Sequence, residues 1–184
     1  VINNIKKTLN FNKKFNNHNL HEPLIEKIDI EPIKNSIESG FVSSVGIHLK
    51  LFKKKIKSLT NCNNIVLTSS GSTALHTVLA ALEVSADHEV LIPNFNYIAS
   101  ANSILMSGAT PHFIDIEERT LGIDVKKLDD YLKKNTFQKK NVCINKKTKK
   151  KVKFCIALHT YGYPCDIKNL KKILDKRRIV LIED

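Results

Sequence analysis

From Ile65 to Ile182 short apolar runs alternate with longer segments of helical spacing, and that alternation narrows the folds open to the chain more than any other feature. Ile65–Leu67, Val90–Ile92, His112–Ile114, Phe154–Leu158 and Ile179–Ile182 are too short for helices and rich in β-branched or aromatic residues, so each reads as a strand. Between them, Ser72–Leu82 and Phe95–Met106 space their apolar residues as helices do. Asp124 and Asp166 stand where a carboxylate caps helices running to Leu132 and Asp175. Strands that take turns with helices run mainly parallel, because each crossover brings the chain back to start the next strand from the same end. The expected fold is therefore α/β, a three-layer, mainly parallel sheet with helices on both faces.

Residues 1–30 show little periodicity and read as an N-terminal arm. A short helix is expected from Glu31, with Pro32 near its start and Gly40 as its stop. A second, amphipathic helix is expected over His48–Thr60, with Leu49, Leu51, Phe52, Ile56 and Leu59 largely on one face. Lys133–Lys153 is a long polar insertion, read as an exposed hairpin or loop.

Composition excludes several classes. At 184 residues the chain can bury a core without disulfides or metals, and 42% hydrophobic with 26% charged residues argues against disorder. No apolar run approaches the ~20 residues that cross a bilayer, and the polar start has no stretch like a signal peptide, so the expected location is the cytoplasm. The net charge of +12 raises nucleic acid as a partner. The excess is almost all lysine, however, with Arg119, Arg177 and Arg178 the only arginines, and bidentate recognition of phosphate or guanine relies on arginine. A solvated lysine-rich surface, with anionic small molecules as ligands, is the preferred reading. Cys62, Cys143, Cys155 and Cys165 lack metal-site spacing and read as free thiols, Cys155 within the core.

Three strand ends carry groups that can act together. Thr68 to Leu75 is rich in small and hydroxylated residues where a strand gives way to a helix; taken alone it reads as a plain Ser/Thr helix cap, and beside other groups the free N–H groups of the first turn favour an anion. Pro93 to Asn102 opens the next such junction and brings Phe95 and Tyr97, whose rings can stack on a planar ligand or pack in the core. Glu183-Asp184 places carboxylates at the last strand end, able to pair with a protonated ring nitrogen or to hold a metal, or else to cap a helix or stand as surface acids. A phosphate cradle, a stacking face and an acid together suit pyridoxal 5'-phosphate.

These stretches also bring a family into view. Gly40 to Gly46, Ser70-Gly71-Ser72-Thr73-Ala74-Leu75-His76, Ala99-Ser100-Ala101-Asn102, Gly108 to Pro111, His159-Thr160-Tyr161-Gly162 and Ile182-Glu183-Asp184 occur in family order. In them the chain resembles the N-terminal part of the DegT/DnrJ/EryC1/StrS family of pyridoxal-phosphate-dependent sugar aminotransferases, nearest its LegC-like branch. The resemblance implies a partial large domain of the fold type I transferases over 31–184. It implies that Gly71, Ser72 and Thr73 hold the cofactor phosphate, that Tyr97 stacks on the ring and that Asp184 meets the ring nitrogen. Ser72 replaces a usual threonine, Thr73 a usual alanine and Asn96 a usual threonine. His159 matches a family histidine, read as structurally hydrogen-bonded.

The intact enzyme so implied moves an amino group from an amino acid, typically glutamate, to the keto group of a nucleotide-linked sugar, works as a homodimer, and serves bacterial surface sugars such as legionaminic acid. In the family the Schiff-base lysine, a phosphate-binding serine and the small domain follow the position of Asp184. No lysine here matches that lysine, so the chain is expected to be an N-terminal fragment with no catalytic residue of its own. The alternative reading is a non-catalytic module for phosphate-bearing ligands or nucleic acid; a Rossmann dehydrogenase lacks its GxGxxG loop.

Overall fold

A computed structural model describes residues 24–184, which divide after Val66 into two compact units. The expectations for residues 1–23 lie outside the described residues. In the first unit, helix α1 spans Lys27–Glu38 and helix α2 spans Ile47–Thr60. Helix α1 begins four residues ahead of the expected start at Glu31, because Glu26 and Asp29 close a reciprocal capping box that leaves Pro32 inside the helix. It stops where expected: Gly40 takes φ +74°, a conformation that glycine adopts without penalty. Neither helix buries a residue.

The second unit holds helix α3 (Gly71–Ala81), strand β1 (His88–Pro93), helix α4 (Ile98–Met106) and strand β2 (Thr110–Ile114). Helix α5 (Val125–Asn135) leads directly into strands β3 (Thr136–Lys139), β4 (Val142–Asn145) and β5 (Lys151–Ala157). Helix α6 (Ile167–Asp175) and strand β6 (Val180–Glu183) complete it. Asp124 and Asp166 cap α5 and α6 as expected, accepting from the N–H groups of Lys127 and Asn169.

Strands β2, β1, β5 and β6 pair in parallel, each with the next. The helices cover both faces, because residues along a strand alternate between two cores. Val90, Ile92, Phe154 and Ile156 pack with Leu75 and Leu79 of α3 and Ala101 and Ile104 of α4. Leu91, Cys155 and Ala157 pack with Leu128 and Leu132 of α5 and Leu170 and Leu174 of α6. The register of β5 slips opposite Glu89 and Val90, so Val152 faces the second core although Phe154 faces the first.

Three expectations change. Ile65–Leu67 forms no strand: Val66 is 76% exposed, and no strand among the described residues offers its backbone a partner. Helix α4 begins at Ile98 rather than Phe95, because Pro93–Asn96 turn first; the Asn94 N–H donates to the Ile114 carbonyl and the Asn96 amide to Pro93. The polar insertion does form a hairpin, β3 with β4, but it joins the sheet through β5 and buries Cys143 and Asn145 instead of standing free. Cys155 is fully buried as expected, and burial pushes its thiol far above the ordinary range.

Candidate functional site

Ligands of open α/β sheets bind beyond the carboxyl ends of the strands, and β1, β5 and β6 end together here. Asp184 follows β6 directly. Its N–H donates to the Ala157 carbonyl at 2.8 Å, and its own carbonyl accepts from the His159 N–H at 3.0 Å. Both sides of its backbone are thereby held to the end of β5. Its side chain reaches α4, where the Ser100 hydroxyl donates to Oδ2 at 3.1 Å. Oδ1 accepts no hydrogen bond among the described residues and stays open.

Helix α4 carries a second link one turn further on. The Ser103 hydroxyl lies 2.8 Å from the Ala99 carbonyl and 3.2 Å from the Ser72 carbonyl in the first turn of α3. Ser100 and Ser103 are 2% and 1% exposed on a helix otherwise lined by Ala101 and Ile104 toward the core. Three residues of helix rise about 4.5 Å, so α4 holds the Asp184 carboxylate and the start of α3 roughly one turn apart along its axis. Tyr97 stands at the N-cap of the same helix, 76% exposed, with its ring free to meet a flat partner.

The first turn of α3 presents its donors unevenly. Ser70 caps the helix, its Oγ accepting from the Thr73 N–H at 3.2 Å and lying 3.0 Å from the Thr73 hydroxyl. The Thr73 N–H is therefore spent on the cap, and its hydroxyl pairs with that of Ser70. The N–H groups of Gly71 and Ser72 and the Ser72 hydroxyl meet no acceptor among the described residues and are left for an anion, which the positive end of the helix favours. Space above Gly71 is open: a Cβ built there meets no atom within 4 Å.

The structure thus joins Ser72 and Asp184 through α4, with Gly71 and Tyr97 beside them and the Thr73 N–H committed to the α3 cap. His159 is structurally hydrogen-bonded. Its Nδ1 accepts from the Cys165 N–H at 3.2 Å, so Nε2 carries the proton toward Glu183 Oε2, also at 3.2 Å. Phe95 meets Tyr161 edge to face, ring centroids 6.4 Å apart. Sequence reasoning assigned no role to Ser70, Ser100 or Ser103. A signal for the last two was present: small hydroxyl residues three apart on an otherwise apolar helix face, where burial demands a partner.

The residues fit a phosphorylated planar ring: open helix N–H groups for the phosphate, an exposed aromatic for the face, and a carboxylate with one oxygen anchored and one free. Comparison with known proteins points the same way. The model of the family described as the DegT/DnrJ/EryC1/StrS aminotransferase family matches residues 23–184. GDP-perosamine synthase of Vibrio cholerae is 31% identical over 165 residues, spanning 90% of this chain and 41% of that protein. The structure of NtdA from Bacillus subtilis, solved with its cofactor PMP, superposes with a TM-score of 0.71 at 26% identity, covering 95% of this chain and 38% of that one. An aminotransferase from Psychrobacter cryohalolentis shares the fold, with a TM-score of 0.74 at 24% identity over 88% of this chain and 37% of the other. The chain spans about two fifths of the length of the curated relatives it matches.

Proposed function

The chain belongs to the DegT/DnrJ/EryC1/StrS aminotransferase family, and from that membership we propose that it supplies the cofactor-holding part of a pyridoxal-phosphate-dependent sugar aminotransferase. The observation that carries the reading is the double link through α4, from Ser100 to Asp184 and from Ser103 to Ser72. It sets an acid and an anion-binding helix start at opposite ends of one small space. Bound there, pyridoxal phosphate supplies an electron sink, and a protonated ring nitrogen strengthens it. Asp184 holds the proton at that nitrogen, the N–H groups of Gly71 and Ser72 bind the phosphate, and Tyr97 covers one face of the ring. Thr73 fixes the cap through its N–H and offers its hydroxyl to the phosphate.

The finer reading rests on the sequence resemblance. The substrate is a nucleotide-linked keto sugar, the amino donor glutamate, and the product a precursor of surface sugars of the legionaminic type, as in the LegC-like branch. The arm over 1–30, the partial large domain over 31–184, the homodimer and a cytoplasmic location belong to the same proposal. Because none of its lysines matches the Schiff-base lysine, the chain alone binds the cofactor without turnover.

Titration of the chain with pyridoxal phosphate, followed by the change in cofactor absorbance and by equilibrium dialysis, tests the core of the reading. Saturable binding is expected, weakened by Asp184→Ala and Tyr97→Ala and competed by inorganic phosphate. Binding that is absent, or indifferent to both substitutions, removes it.

A further inference from the structure

Resting on that reading for the identity of the ligand, but not for the contact itself, we propose that Ser100 is a positioning residue for Asp184, fixing which carboxylate oxygen faces the cofactor ring. An aspartate side chain has three staggered χ1 wells, each of which aims the carboxylate in a different direction. The backbone of Asp184 is pinned on both sides by Ala157 and His159, so the remaining freedom is in the side chain. Ser100 removes it. Its hydroxyl donates to Oδ2 at 3.1 Å across 84 residues of sequence, from a serine only 2% exposed. Hydrogen bonds to a charged acceptor are among the stronger ones, and this one selects a rotamer as well as adding energy.

Ser100 itself is held rigidly. It lies in the first turn of α4, its N–H donating to the Tyr97 carbonyl at 3.2 Å, and the next turn is tied to α3 through Ser103. One rigid helix therefore sets the aromatic at its N-cap, the orientation of the acid and the offset of the phosphate-binding turn. A side chain that oriented Asp184 from a loop would fix none of these relative to the others. With Oδ2 occupied, Oδ1 is the oxygen presented to a ring nitrogen.

Two variants of the chain decide the matter. Ser100→Ala removes the hydroxyl at almost constant volume, and Ser100→Thr restores it; retained cooperative unfolding shows that each is folded. The first measurement needs no cofactor: three-bond Hα–Hβ couplings of Asp184 report its χ1. A single rotamer is expected in the native chain and in Ser100→Thr, and an averaged one in Ser100→Ala. Averaging in the native chain, or a single rotamer that survives Ser100→Ala, overturns the inference. The second measurement uses pyridoxal phosphate labelled with 15N in the ring. Ser100→Ala is expected to move the ring-nitrogen resonance toward its unprotonated position and to weaken binding about 3- to 10-fold, as loss of one hydrogen bond allows. Competition by inorganic phosphate stays unchanged, and Ser100→Thr restores the native values. A bound cofactor whose ring resonance ignores Ser100→Ala overturns the inference and leaves the cofactor reading standing. An ordered Asp184 rotamer that depends on Ser100 in a chain that binds no pyridoxal phosphate upholds the positioning role and removes the cofactor reading.

Discussion

His88 opens β1 with only 7% of its surface exposed and its Nδ1 accepting from the Ser85 N–H at 3.2 Å, an arrangement that requires a neutral ring. Burial, then the positive charges of Lys153 and Lys151, hold its pKa below the ordinary 6.5; Asp87 opposes them without reversing the direction. The unfolded chain then takes up a proton near pH 6.5 that the folded chain accepts only at lower pH. This contribution to stability is complete above that pH and is lost as pH falls from 6.5 toward the folded value. Urea unfolding across that window should show stability falling with pH, and His88→Asn, whose amide oxygen stands near the Nδ1 position, should flatten the fall. Gly122 is constrained differently, by space. A Cβ there overlaps the Cβ of Cys165 and lies 3.1 Å from Thr120 Oγ1. Gly122→Ala should cost ~1–3 kcal/mol in urea unfolding, and less in a Cys165→Gly background, because the two changes share one contact.

At the scale of elements, the β3–β4 hairpin is tied to the sheet by a buried polar group as well as by its strand pairing. Glu89 of β1 is 1% exposed, and its Oε2 accepts from Asn145 Nδ2 at 2.8 Å and meets His112 Nδ1 at 3.0 Å. Asn145→Ala withdraws one of these partners from an enclosed carboxylate and should cost ~1–3 kcal/mol by denaturant unfolding. Asn145→Asp should cost more, since it sets two carboxylates against each other. A cost near zero for both would show that the hairpin docks through its apolar residues alone. The α6 cap is more local. Asp166 accepts from the Asn169 N–H at 3.2 Å and from its Nδ2 at 2.8 Å, and Asp166→Ala should lower stability by ~1 kcal/mol. The element patterns themselves were legible in sequence: Asp124 and Asp166 announce their helices because capping is a relation between residues three apart. The start of α4 was not, because the turn ahead of it depends on Asn94 reaching the Ile114 carbonyl on a neighbouring strand.

The whole chain carries +12, and among the described residues few lysines pair with a carboxylate. Asp87, Asp115, Asp129 and Asp175 each pair with a lysine, at sites mostly open to solvent where such pairs contribute little. Self-repulsion of a surface so charged opposes compaction and is screened over about 10 Å at 0.1 M salt. Thermal unfolding should therefore shift to higher temperature as sodium chloride rises from about 20 to 200 mM. A falling midpoint would mean that the ion pairs outweigh the repulsion.

Periodicity is local, and so most helices and the strands β1, β2, β5 and β6 followed from the sequence alone, and with them a mainly parallel sheet covered on both faces. Small residues at helix starts and an acid at a strand end likewise marked the candidate groups. Which of those groups meet was decided by strand order and register. Ser100 and Asp184 are 84 residues apart and Glu89 and Asn145 are 56 apart, and they touch only because β1, β5 and β6 lie side by side and the hairpin folds back onto β5. Ile65–Leu67 shows the converse, since strand composition does nothing until another strand's backbone lies within hydrogen-bonding reach.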